Sequence, residues 1–426
     1  MIPIKSIVIA SVLLFSPGQL PAAPPAVDPA ARASRWQADL DYFEREFPAR
    51  QIDFAVFMSR ERFDQEVTDL KRQIPQLSDP EIVFGLMRIV ASLGVAHTSI
   101  AFGSIRETAA PHSYPIELQW FSDGFAVVAA SPTYREALGC QVVRMGSKTP
   151  EQAETALAAY IPHENDAYLH FESPRYMTLV ELMKHEQIAD PDGRLQLTCA
   201  KAGGEQFTLD LAAERSARTG GATLKAGVVL QIPEELCRKH PDAFYWFEYL
   251  PAEQSLFIQY NKCRNDPAVP FVNFVGSLFA FADTHPIQRV IVDLRFNGGG
   301  SASILQPLVE GLQARPALSA KGHLYTLIGS ETFSSGLMAA MDFRDRLHAT
   351  MIGGPTGNKP NHCGEQKNLM LPNSKLLVHY STKHFHLVQD ADPSTLAPDI
   401  EVPSGLNDFL AGRDPVLDTA LRHPLQ

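Results

Sequence analysis

The sequence predicts an α/β protein with a helical N-terminal region, a small β-rich module and a layered, largely parallel C-terminal sheet. Three observations carry this prediction. Apolar residues before Pro111 recur at helical spacing. Between residues 111 and 215 short strands alternate with glycine turns. From about Leu224 strand-length apolar runs alternate with helical segments, the pattern of a parallel sheet covered by helices.

The helical region comes first. Residues 24–33, rich in alanine with Pro24 and Pro25, read as a flexible leader. Trp36, Leu40, Phe43 and Phe47 then place one face of a helix, and Phe63, Val67, Leu70 and Ile74 a second. The third helix has a clear start in Ser78-Asp79-Pro80-Glu81, a capping box with proline in the first turn. Ile82, Leu86, Ile89, Val90 and Leu93 form its apolar face, and Gly94 ends it. His97-Thr98 follow at once.

In the module, residues 116–120, 125–128, 139–143, 194–198 and 207–211 read as strands, and 150–160 as a helix. In the C-terminal part, strands are expected at 255–260, 289–294, 324–328 and 350–352. Helices are expected at 271–282, 302–312 and 335–343. The first of these is apolar on nearly all sides and should be buried. Sites in such sheets lie at the carboxyl ends of strands.

Composition narrows the function. With 426 residues the chain is too long for one ordinary domain. Its formal net charge of −11 argues against nucleic acid as a partner. Lys5 followed by the apolar run 7–15 reads as an export signal, with a cleavage point near Ala22 and Ala23. That run is too short to span a bilayer. The expectation is a periplasmic or extracellular protein with no integral membrane span after processing. Export permits disulfides among Cys140, Cys199, Cys237, Cys263 and Cys363. The odd count leaves at least one unpaired. Cys237–Cys263 is one possible bridge, and five buried thiols the plain alternative.

Three segments carry chemistry. Asp293-Leu-Arg-Phe-Asn-Gly-Gly-Gly300 is a strand running into a triple-glycine turn. Thr332-Phe-Ser-Ser335 opens a helix, and Gly353-Gly-Pro-Thr-Gly-Asn-Lys359 follows the next strand. Alone, each has a plain reading: a glycine turn, a helix cap, a surface loop. Neither glycine segment matches a dinucleotide or P-loop pattern. Together they hold the parts for acyl transfer, a hydroxyl at a helix N-terminus beside backbone N–H donors.

This combination resembles the tail-specific (C-terminal processing) and tricorn-core-like serine peptidases. Their D-L-R-x-N-x-G-G, T-x-S-[SA] and G-E-P-T-x-G-K-like loops match the three segments in order. The resemblance implies a crotonase-like catalytic domain over 216–426 and a PDZ-like module over 111–215, following the signal peptide over 1–23 and the helical domain over 24–110 read above. It implies Ser334 as nucleophile, with oxyanion donors from Ser335 and from Gly299 or Gly300. The base is Lys359 if the processing branch is followed and His97 if the tricorn-like branch is. Sequence context around His97 places it first. Two departures stand out, Gly354 where the family often has glutamate and Ala96 before His97.

Other residues weigh less. His362 and Glu365 read as turn residues beside the site. His384 and His386 share a strand face without a third ligand, so no metal is expected. Asp390 and Asp392 read as solvated charges, and Asp399 as structural. The expectation is a serine peptidase acting on a polypeptide, held by its C-terminus in the PDZ-like groove, with no cofactor. The rival is a non-catalytic peptide- or ligand-binding protein on the same fold.

Overall fold

The computed structural model describes residues 28–215, 228–233 and 235–425. The expected signal segment 1–23 lies outside the described residues, as do residues just beyond the expected boundary at 215/216.

Helices α1 (Pro29–Arg50), α2 (Arg60–Gln73) and α3 (Asp79–Ala91) form the N-terminal region. Residues 29–33, expected within the leader, instead begin α1, which Asp28 caps with Pro29 in its first turn. Phe43, Phe47 and Phe63 are fully buried, with Phe43 stacked on Phe47 at 4.9 Å between ring centroids. Burying each such ring contributes about 2–3 kcal/mol. Gly94 ends the α3 segment with φ +65, a conformation that side-chain-bearing residues resist. His97 therefore leaves the bundle in a fixed direction.

The module is an antiparallel sheet in the order β1-β2-β3-β4-β5, with β1 (Ile116–Phe121) at one edge. The others are β2 (Gly124–Ala130), β3 (Gln141–Met145), β4 (Leu195–Ala200) and β5 (Gln206–Leu211). Cys140 and Cys199 form a disulfide between β4 and the residue preceding β3, with Cα atoms 5.5 Å apart. Cys237, Cys263 and Cys363 are free and buried, so the Cys237–Cys263 bridge is not formed. A helix absent from the sequence prediction, α4 (Asp166–Tyr176), packs against β1. It contains Pro174 and has no clean apolar stripe, while Asn165 caps it through the Tyr168 N–H at 2.9 Å.

The main sheet runs β13-β10-β9-β8-β7-β6. Its strands are β6 (Tyr245–Leu250), β7 (Ser255–Tyr260), β8 (Arg289–Asp293), β9 (Leu324–Ile328), β10 (Thr350–Gly353) and β13 (Ile400–Glu401). All neighbours are parallel except β6, which is antiparallel to β7. Helices α5 (Phe271–Ala282), α6 (Gln306–Gln313) and α7 (Ser335–Leu347) accompany it. The expected helix at 302 begins as a 3₁₀ turn, Ala302–Leu305, before α6. Contrary to expectation α5 is buried on one face only: Phe271, Phe274 and Leu278 are inside, whereas Val272 is 59% exposed.

A hairpin, β11 (His362–Met370) and β12 (Leu377–Phe385), leaves this sheet and reaches the helices. Ser99 and His379 exchange backbone hydrogen bonds at 3.2 and 2.7 Å, and Ala101 N–H donates to Leu377 O at 2.9 Å. The buried Gln51 side chain accepts from Thr98 Oγ1 and Ser381 N–H. One apolar core thus runs through the helices, the module and the hairpin, and a second lies in the main sheet. The hairpin carries His97 toward the carboxyl ends of β8 and β9.

Candidate active site

The glycine turn is held from below. Asp293, fully buried at the end of β8, forms an ion triad with Arg295 and Asp414, the shortest N–O contact of each pair 2.6 Å. The two carboxylates beside it hold the Arg295 guanidinium well above its ordinary pKa. Asn297 is fully buried. Its amide donates to Tyr260 O at 2.7 Å and its carbonyl accepts the Gly299 N–H at 2.9 Å. Thr332 Oγ1 donates to Leu294 O at 2.9 Å, and Phe333 N–H to Asn297 O at 3.0 Å, locking the serine loop onto the turn.

The turn needs glycine for space as well as conformation. Gly299 has φ +104, and a Cβ there would lie 2.7 Å from Ser334 Cβ. Gly300 has φ +139, and its Cβ would lie 2.3 Å from Cys263 O. Ser335 Oγ donates to Gly300 O at 3.0 Å, tying the start of α7 to the turn.

Ser334 sits at the N-cap of α7 with φ 53 and ψ −125. This strained backbone projects a hydroxyl from a sharp strand-to-helix turn. Its own N–H is held by Asn358 Oδ1 at 3.0 Å. The N–H groups of Ser335 and Gly300 make no backbone hydrogen bond, whereas that of Gly299 is occupied by Asn297. Ser334, Ser335, Gly298 and Gly300 face a cleft of about 840 Å³.

His97 faces the same cleft. Five rings stack along it in the order Phe385, His362, His97, Phe333, Tyr168, with centroid spacings of 5.2, 5.5, 4.4 and 4.7 Å. His97 is only 8% exposed, and neither ring nitrogen has a hydrogen-bond partner. Burial, with a smaller contribution from His362, lowers its pKa to about 3. The ring is thus neutral with both nitrogens unpartnered, and burial opposes its protonation. His362, expected as a turn residue, is buried on β11. Its Nδ1 lies 3.0 and 3.1 Å from the Lys359 and Pro360 carbonyls, which makes Nδ1 the protonated nitrogen. Glu365 also lines the cleft.

Lys359 points elsewhere. Its Nζ pairs with Asp392 at 2.9 Å, and it does not line the cleft. Asp392 is exposed, as expected, and pairs with Lys359 at the surface. Asp399 is structural, accepting the Met351 N–H at 2.8 Å. His384 pairs with Asp53 at 2.7 Å. Among the described residues no group of three or more His, Cys, Asp or Glu is arranged to hold a metal.

Sequence reasoning missed Glu164. Its carboxylate accepts from Asn358 Nδ2 at 2.6 Å and from the Lys359 N–H at 3.2 Å. The backbone N–H of Ala96, one residue before His97, also points to it. Desolvation raises its pKa to about 7 despite these donors. Glu164 thus touches Asn358, which holds the Ser334 N–H, and the backbone beside His97. No local pattern marks it: it precedes an unpredicted helix in a different part of the chain.

The sequence matches no family model and no curated protein. Similar solved structures do exist. Mature CPAF complexed with lactacystin superposes with a TM-score of 0.64 at 13% identity, covering 92% of this chain and 98% of that chain. Mature CPAF gives 0.63 at 13% identity, covering 92% and 97%. A serine-to-alanine mutant of CPAF gives 0.60, with the same identity and coverage. The chain therefore shares this fold over nearly its whole length.

Proposed function

We propose that this protein is a serine-type peptidase of the tail-specific and tricorn-core-like group, acting through an acyl-enzyme on Ser334. The observation that carries the reading is the convergence of Ser334, the unpartnered His97 ring and the free Ser335 and Gly300 N–H groups on one cleft. The likeness to CPAF, including its serine-to-alanine form, supports it.

Each group has a role in this reading. His97 takes the Ser334 proton as the hydroxyl attacks the substrate carbonyl, then passes it to the leaving amine. Ser335 and Gly300 N–H groups hold the oxyanion, helped by the α7 N-terminus. Glu164 holds Asn358, which accepts the Ser334 N–H, and accepts the Ala96 N–H next to His97. Lys359 serves as an ion-pair partner of Asp392, not as base. The catalytic part is crotonase-like. The module is PDZ-like, with an edge strand, β1, beside a helix, α4, an arrangement suited to adding an extended peptide. The Cys140–Cys199 disulfide fits an exported protein. No helix among the described residues is long and apolar enough to cross a membrane.

Fluorophosphonate labelling tests the reading. Wild-type protein should be labelled on Ser334 and lose peptide hydrolysis in parallel, and Ser334→Ala should do neither. An unlabelled wild type with its fold intact would favour the binding-protein alternative.

A further inference from the structure

A second cleft, of about 740 Å³, lies between the module and the main sheet, on the other side of α4 from Ser334. Its walls are apolar and aromatic. Trp120 stacks on His170 at 4.4 Å, Phe171 is 38% exposed, and Phe296 and Phe409 face them across the cleft. β1 forms one side. Among the described residues no strand pairs with its outer edge, and only its end is tied, Ser122 N–H to Ser404 O at 3.1 Å. Such an edge is a template for an added strand.

The charge of this cleft is lopsided. Glu117, Asp166, Glu331 and Glu401 line it, and among the described residues none of them has an ion-pair partner within 4.0 Å. The lining arginines are already engaged. Arg238 pairs with Glu235 at 3.1 Å, Arg295 with Asp293 and Asp414, and Arg413 with Asp408 at 2.7 Å. Glu331 is half-buried and feels Arg238 only as a weak offset to its desolvation. It lies three residues before Ser334, on the loop that separates the two clefts.

A PDZ-type groove receives a terminal carboxylate on free backbone N–H groups. The chain entering β1 offers little of this kind. Tyr114 N–H already donates to Thr178 O at 2.9 Å, and Pro115 has no N–H. A carboxylate placed here would also meet four others. A lysine or arginine would find unpaired partners for its head and aromatic surface for its stem.

We propose that this cleft docks an extended polypeptide segment in which basic residues alternate with apolar ones, added as a strand along β1, and that it does not select free C-termini. The peptidase reading supplies the purpose, delivery of such a chain toward Ser334, but the docking itself does not depend on turnover.

The test is fluorescence anisotropy with the full-length Ser334→Ala protein and three labelled peptides. The first alternates lysine and leucine and is blocked at both ends. The second has glutamate for lysine. The third has serine for lysine and a free C-terminal carboxylate. The basic peptide should bind at least about tenfold more tightly than either other, roughly 1.4 kcal/mol. Glu331→Gln with Glu401→Gln should erase that advantage, and Glu401→Lys should shift preference toward the acidic peptide. Equal affinities, or tightest binding of the carboxylate-ended peptide, would overturn the proposal. So would a basic preference that survives the double substitution. Because binding is read without the nucleophile, failure here leaves the fluorophosphonate result intact. An unlabelled Ser334 would likewise leave the docking result intact.

Discussion

Asn358 accepts the backbone N–H of Ser334 at 3.0 Å, and through its other amide atom it holds Glu164 at 2.6 Å. A residue in the middle of the chain thereby helps set the left-handed backbone of the serine, whose φ is 53. Such backbone persists only where the surroundings over-determine it. Here the glycine turn, Thr332 and Asn358 do so together.

His97 should outrank Lys359 as base. The His97 ring is neutral, unpartnered and faces the cleft, whereas the Lys359 ammonium is paired with Asp392. We expect His97→Ala to lower kcat by at least about a hundredfold, and Lys359→Ala to leave most activity. The reverse order in a steady-state assay would assign the base to Lys359.

Glu164→Gln keeps the shape of the side chain but removes its charge. If ionised Glu164 supports the reaction, wild-type kcat should rise with pH through about 7, where this carboxyl loses its proton. The glutamine variant should lose about tenfold or more at pH 8 and lose that rise. A variant that keeps the wild-type profile would reduce Glu164 to a structural hydrogen-bond acceptor.

Gly299→Ala places a methyl 2.7 Å from Ser334 Cβ. The serine must move, and the oxyanion donors beside it with it. Turnover should fall by about a hundred- to a thousandfold, as for loss of an oxyanion donor, with a measurable cost in stability. Wild-type turnover from a folded Gly299→Ala protein would show that the turn tolerates this shift.

Glu331 carries a cost of burial that depends on pH. Its pKa is raised to about 7 in the folded state by desolvation, so the unfolded chain releases its proton more readily. Stability is therefore lost as pH rises from about 4.5 to about 7, and the cost is fully present above that. Glu331→Gln should raise stability at pH 8 by at most about 3 kcal/mol, read as a higher Tm, and should have no such effect at pH 4. His97 acts in the opposite sense. Its lowered pKa means that stability falls as pH drops from about 6.5 toward about 3. Thermal melts of both single variants across pH 4–8 separate the two.

What the sequence determined by itself is local. The capping box at Ser78 and the apolar faces of α1 to α3 were legible because propensity and 3.6-residue periodicity act within one segment. The strands β7 to β10 were legible as short apolar runs between turns, and the loops bearing Gly299, Ser334 and Lys359 as motifs whose combination resembles one peptidase family. Their order along a parallel sheet already puts the glycine turn and the serine at one end. Tertiary structure decided the rest. That His97 reaches the serine cleft while Lys359 turns to Asp392 depends on the β11–β12 hairpin binding the N-terminal helices across the chain. Glu164 meets Asn358, and Cys140 meets Cys199, by the same long-range packing. The lopsided charge of the second cleft arises because Arg238 and Arg413 pair with near neighbours Glu235 and Asp408 and Arg295 reaches Asp414, while tertiary packing brings Glu117, Asp166, Glu331 and Glu401 to the same cleft. Such pairings depend on which faces come together as the two cores form, and no window of residues records that.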